Sequence, residues 1–173
     1  MSSKNEKLRA RKARKYLPKK TRILFVAEAP PLSIDRYFYF EKVERDDWLW
    51  IALMKRLPRA NWGHTKCERR RKPDWLKRFK DSGCQLIDAV KAPITGRSKQ
   101  RVERIKVAAP SLIKEIKKIK PKRIVLIKAT VHEALFEELR SAGLPVVNKE
   151  PLPFPSSGRQ KEFERRFRSG WLK

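Results

Sequence analysis

Acidic residues are the shortage that frames this chain. Nineteen Asp and Glu stand against 45 Lys and Arg in 173 residues, a formal net charge of +26. A surplus of that size points to a polyanionic partner, because neutralising phosphates releases condensed counterions. Cysteine and histidine are nearly missing as well. Cys67 and Cys84 give no disulfide framework, and His64-x-x-Cys67 offers two ligands where a metal site needs three or four. No metal and no cofactor are therefore expected, and a reducing cytoplasm fits the cysteine usage. No apolar stretch approaches the roughly 18 residues of a membrane span. No signal-peptide core follows the basic start, and neither a membrane-surface helix nor a lipidation motif accompanies the charge. Nucleic acid is thus the expected partner, and a membrane is not. Glycine is scarce too, at six residues, and neither G-x-x-x-x-G-K nor G-x-G-x-x-G occurs, which argues against a nucleotide-binding module.

What is present is enough apolar residue, 40%, for one core in a chain of single-domain length. The organising stretch is 22–31, RILFVAEAPP. Apolar at every position from Ile23 to Ala27, it predicts a parallel strand buried on both faces. Ligands of open α/β sheets sit beyond the carboxyl ends of strands, so the 28–31 loop lies where a site belongs. Pro30 and Pro31 stiffen that loop and present Glu28 on it. An ordinary strand exit with a solvated glutamate is the alternative.

Residues 1–20 hold nine lysines and arginines against Glu6 and predict a flexible basic arm ahead of a single domain at 21–173. Tyr37-Phe38-Tyr39-Phe40 cannot all enter one face of a core, so at least one ring is expected to line a surface or pocket. A helix is predicted over 46–57, with Asp46 and Asp47 in its first turn, ending at Pro58. Residues 58–73 read as a basic connector, its Arg69, Arg70 and Arg71 poised to touch phosphates. A second buried strand spans 84–87 and ends on Asp88. The helix 101–120 carries a broad apolar stripe, and Pro110 is expected to kink or split it. A third strand at 123–128 precedes a helix that Thr130 starts, with Glu133 at capping-box spacing. A fourth strand is predicted at 145–148, followed by the rigid loop 151–158 and a basic helix over 159–168. This alternation calls for an α/β fold, three layers α/β/α around a central four-stranded parallel sheet.

Three loops now fall at strand ends, and their motifs resemble the uracil-DNA glycosylase superfamily. Ala27-Glu28-Ala29-Pro30-Pro31, then Ile34-Asp35 and Arg36-Tyr37-Phe38, is similar to G-E-A-P-G, an acidic pair and R-P-F in its iron–sulfur branch. Ile87-Asp88-Ala89-Val90-Lys91-Ala92-Pro93 resembles that branch's T-N-x-V-K-x-R-P-P. Residues 119–123 and 130–135 look like its I-K-P-K and T-x-x-E-A-L. Phe154-Pro155-Ser156-Ser157 stands where most branches have H-P-S-P, and looks like the P-S-S loop of thymine-DNA glycosylases. The departures are Ala27 and Pro31 for glycines, Ile34 for an acid, Asp88 for the base-reading asparagine, and Phe154 for histidine. The branch's four cysteines are also missing.

The resemblance implies a DNA glycosylase of base excision repair that flips uracil or a related lesion and hydrolyses its N-glycosidic bond. It implies Glu28, then Asp35, as the carboxylates serving the oxocarbenium ion and the attacking water. Ala29, Phe38, Asp88 and Phe154 would hold the base. Ser156, Ser157, Gly158 and Arg159, with Arg69, Arg70 and Arg71, would hold DNA. A monomer, cytoplasmic and associated with the nucleoid, is expected to act on damaged duplex or single strand. A non-catalytic nucleic-acid-binding protein on the same fold is the competing expectation, favoured by the substitutions at Ala27, Asp88 and Phe154.

Overall fold

The structure, a computed structural model, describes residues 4–45, 47–156 and 158–172. It is mixed α/β. In chain order come α1 (Lys4–Lys15), β1 (Ile23–Ala27), a 3-10 turn (Ile34–Arg36), α2 (Trp48–Met54), α3 (Thr65–Arg70) and α4 (Lys72–Asp81). They are followed by β2 (Cys84–Asp88), α5 (Ser98–Ile119), β3 (Arg123–Leu126), α6 (Ala129–Ser141), α7 (Gln160–Arg166) and a closing 3-10 turn (Ser169–Leu172). The strands are parallel in the order β2-β1-β3, with Ala27 opposite Asp88 and Val26 opposite Leu126.

β1 is apolar throughout because both its faces are covered. Ile23, Phe25 and Ala27 pack with Trp50, Leu53, Leu76, Phe79 and Phe163 from α2, α4 and α7. Leu24 and Val26 pack with Val102, Ile105, Leu112 and Ile116 of α5 and Val131, Leu135 and Leu139 of α6. A strand alternates its side chains between faces, so an apolar residue at every position is the requirement of a central strand.

Among the described residues the sheet has three strands where four are expected. Residues 145–152 run beside β3 but pair with it only through isolated bridges, Ile124 with Val146 and Ile127 with Leu152. Pro145, Pro151 and Pro153 lack the N–H a ladder needs. Asn148, only 2% exposed, substitutes its side chain: Oδ1 accepts from the Leu126 N–H at 2.9 Å, and Nδ2 donates to the Leu126 carbonyl at 3.0 Å. At the opposite edge Tyr39 does the same for β2. Its hydroxyl accepts from the Leu86 N–H at 2.8 Å and donates to the Leu86 carbonyl at 3.0 Å.

Other expectations change with reason. Lys4–Lys15 is a docked helix where a flexible arm is expected. Arg9 is buried, with its guanidinium on the Lys91 carbonyl, and Tyr16 stacks on Tyr39 and donates to Glu41 at 2.6 Å. Charge count alone hides those two anchors. α5 runs unbroken through Pro110, because Pro110 and Lys106, whose carbonyl the proline leaves unbonded, both face solvent. The connector 58–73 holds α3 and the start of α4 instead of a loop. Asp46 lies outside the described residues.

Candidate functional site

Register brings two carboxylates to one rim. Since Ala27 pairs with Asp88, Glu28 emerges from β1 beside the end of β2. The two walls belong to one cavity of about 340 Å³, together with Ala29, Phe38 and Phe154. Arg36, Asp47, Trp50, Arg101 and Lys128 also line it.

Glu28 is buried and clamped. Its Oε2 accepts from Lys128 Nζ at 2.6 Å and from the Arg101 guanidinium, and its Oε1 accepts from Thr130 Oγ1 at 2.6 Å. Arg101 is held in turn by the carbonyls of Gly96 and Ile94. A carboxylate has about four acceptor positions. Three are filled, two of them by cations. Among the described residues Glu28 is thus rigidly held, with a single acceptor position left to fix a partner. The Thr130 hydroxyl is thereby diverted from capping α6, whose N-cap is Lys128.

Lys128 sits at φ 87°, ψ 140°, a region that glycine normally occupies. Its N–H donates to the Leu152 carbonyl at 2.7 Å. Strain of this sort costs on the order of 1–3 kcal/mol and concentrates at functional sites. Here it aims an ammonium at Glu28.

Asp88 contrasts with Glu28. No described residue donates a hydrogen bond to its carboxylate; Lys91 Nζ reaches only its main-chain carbonyl, at 3.4 Å. Burial pushes its carboxyl up to about 7, against the pull of Lys91 and Arg9, with Glu115 adding to the rise. The group is thus poised between a neutral form that donates and an anion that only accepts.

Phe38 is 7% exposed and lies edge-on to Tyr39 at 4.9 Å and against Phe79 at 5.5 Å, so it forms the floor of the cavity. Phe154, half-buried, also lines the cavity.

The remaining expected residues are elsewhere. Asp35 is exposed in the 3-10 turn, outside the cavity lining, its carboxylate engaged by the Ser33 hydroxyl and its acidity raised mainly by that bond. Ser156, Gly158 and Arg159 also lie off the cavity lining. Ser156 closes a turn with its N–H on the Phe154 carbonyl, Gly158 has φ 83°, and Arg159 is tied to Glu162 at 2.7 Å. Ser157 lies outside the described residues. Of the arginine cluster, Arg69 faces inward to Asp47 at 2.8 Å, and Arg71 lies 3.6 Å from Glu68. Arg70 is exposed and forms no ion pair among the described residues. Glu68, inside the stretch read as a basic connector, is buried and accepts from Trp75 Nε1 at 2.7 Å.

Behind the Asp47–Trp50 wall sits Lys72, fully buried. Its Nζ lies 3.9 Å from Asp47 Oδ2 and 5.0 Å over the Trp50 ring, with no hydrogen bond among the described residues. Burial lowers its ammonium to about 8.

Arg101, Lys128 and Thr130 are the site residues that sequence reasoning misses. Arg101 and Lys128 carried no signal beyond being basic, and Thr130 matched a helix cap. Compared with known proteins, the chain matches no family model, no curated protein and no solved structure.

Proposed function

We propose that this chain is a DNA glycosylase that accepts an extruded base in the Glu28–Asp88 cavity and hydrolyses its N-glycosidic bond. The observation that carries this reading is convergence: Glu28, Ala29, Phe38, Asp88 and Phe154, drawn from three separate stretches of the chain, line one cavity at the carboxyl rim of a parallel sheet. A volume of about 340 Å³ lies in the range of small-molecule sites. Helices on both sheet faces accord with the three-layer arrangement of that superfamily. The charge of +26 supplies the phosphate affinity such an enzyme needs. The protein works as a cytoplasmic monomer on DNA.

In this mechanism Glu28, immobilised by Arg101, Lys128 and Thr130, places its negative charge against the oxocarbenium character that develops on the sugar. Its remaining acceptor position orients the attacking water. Asp88 reads the base edge. Neutral, it donates to a carbonyl such as uracil O4; ionised, it selects a base that presents an amino group. Phe38 and Phe154 supply apolar walls.

The second reading is a binding protein on the same fold. The clamp on Glu28 favours it, because a carboxylate holding three donors activates water poorly.

Labelled duplexes carrying uracil, hypoxanthine, xanthine or mismatched thymine, incubated with the protein and then treated with alkali, separate the two. Breaks at one lesion, abolished in Glu28→Gln, are the expected result. Salt-sensitive binding without breaks at any lesion would establish the binding protein instead.

A further inference from the structure

A second concavity, of about 620 Å³, meets the same 151–154 segment as the first. Leu152 lines it, whereas Phe154, two residues on, walls the Glu28 cavity. Two residues of extended chain reach at most about 7 Å, so the two openings are near neighbours. The second is strongly cationic. Among the described residues Lys149, Arg165, Arg166 and Arg168 line it against a single carboxylate side chain, Glu150. Arg166 is committed to the Pro151 carbonyl at 3.1 Å and to Glu162 at 3.1 Å. Lys149, Arg165 and Arg168 form no ion pair among the described residues, and all three are exposed. Trp171 completes the lining, half-buried and seated edge-on against Phe167 at 5.3 Å.

We propose that this groove binds a single-stranded stretch of nucleic acid, its phosphates on Lys149, Arg165 and Arg168 and an unstacked base on Trp171. Cations beside an aromatic plane in a concavity are how proteins hold single strands, because every base has a face to stack and a duplex hides that face. The size also exceeds what one phosphate needs and suits a nucleotide unit. A strand with one nucleotide in the Glu28 cavity has its neighbours within reach of the groove, since Leu152 and Phe154 are two residues apart. The proposal rests on the nucleic-acid part of the preceding reading and not on its chemistry.

The test is binding of the full chain to a labelled oligodeoxythymidylate of about ten nucleotides and to an abasic strand of the same length, across a range of salt. Arg165→Ala/Arg168→Ala, at exposed positions, is expected to make the log–log salt slope shallower by about 1.4, from two phosphates at about 0.7 each. Trp171→Leu is expected to weaken the thymidylate strand about 10-fold while leaving the abasic strand unchanged, with Trp171→Phe restoring most of the loss. An unchanged slope in the double arginine variant overturns the proposal even if Trp171→Leu fails to fold. So does thymidine monophosphate competing as well as the strand, which would make this a mononucleotide site. Wild-type protein that binds no strand at all defeats the nucleic-acid reading itself; groove variants that bind like wild type defeat only the groove.

Discussion

Replacing Asp88 by asparagine tests the site without reference to any substrate. Asp88 titrates at about 7 in the folded chain, against 3.8 for the free side chain, chiefly because burial penalises the anion. Between those values the native state keeps a proton that the unfolded state has released. The stability this group contributes is therefore highest below about pH 4 and falls as pH rises, until the loss is complete above about 7. The displacement corresponds to about 4 kcal/mol in full, and partial access of water to the cavity rim trims it to roughly 2–4 kcal/mol. An amide at this position has no proton to release and no such dependence. Asp88→Asn should match wild type near pH 4 and exceed it by roughly 2–4 kcal/mol at pH 8, a midpoint rise of about 4–16 °C for a chain of this size. Urea unfolding followed by tryptophan fluorescence at a series of pH values gives the difference directly, since all other titrating groups are common to both proteins. A difference that stays flat from pH 4 to 8, or that favours wild type at pH 8, would refute the account of a desolvated, unpartnered carboxyl. The same proton governs the proposed base reading, so the preferred base should change as pH crosses 7 in wild type and not in the variant.

Three further perturbations have defined outcomes. Glu28→Gln leaves Arg101 and Lys128 facing a neutral amide and should cost about 3–5 kcal/mol in denaturant unfolding, with loss of lesion cleavage; a stable, fully active variant would remove Glu28 from the chemistry. Tyr39→Phe strips both partners from Leu86 on β2 and should cost about 1–3 kcal/mol, with faster amide exchange at Leu86; unchanged exchange would show that the hydroxyl is dispensable. Lys72→Met keeps the buried stem but removes a charge held at about 8 instead of 10.5. In wild type that shift makes stability rise as pH climbs from about 8 to 10.5. The variant should lose that rise and gain roughly 1–3 kcal/mol at pH 7, and a destabilisation at pH 7 would contradict it.

How far the sequence speaks depends on the range of the interaction. β1 is legible because being covered on both faces demands apolar residues at adjacent positions, and α5 because its stripe repeats with the helical period. The rim is legible because strand ends are places where loops with Glu28 and Asp88 must lie. The clamp is not, since Arg101 and Lys128 reach Glu28 over 73 and 100 residues and each looks like any other surface cation. Residue type even argues against Lys128, which adopts a backbone conformation reserved for glycine. The fourth strand failed for a related reason: 145–148 has the composition of a strand, but flanking prolines and the Asn148 amide replace the ladder that composition suggests. The short motif at Phe154 predicted a wall of the cavity, whereas Ser156 and Arg159 in the same motif turn to local partners.

The two side chains that grip the outer strands have a consequence for the molecule's company. Tyr39 occupies the free polar groups of Leu86, and Asn148 those of Leu126, so neither border of the sheet offers a row of unsatisfied main chain to a stranger. Sheets with bare borders recruit one another and grow into aggregates. In this protein the Tyr39 hydroxyl stoppers one border, and the Asn148 amide with its bridged 145–152 segment stoppers the other.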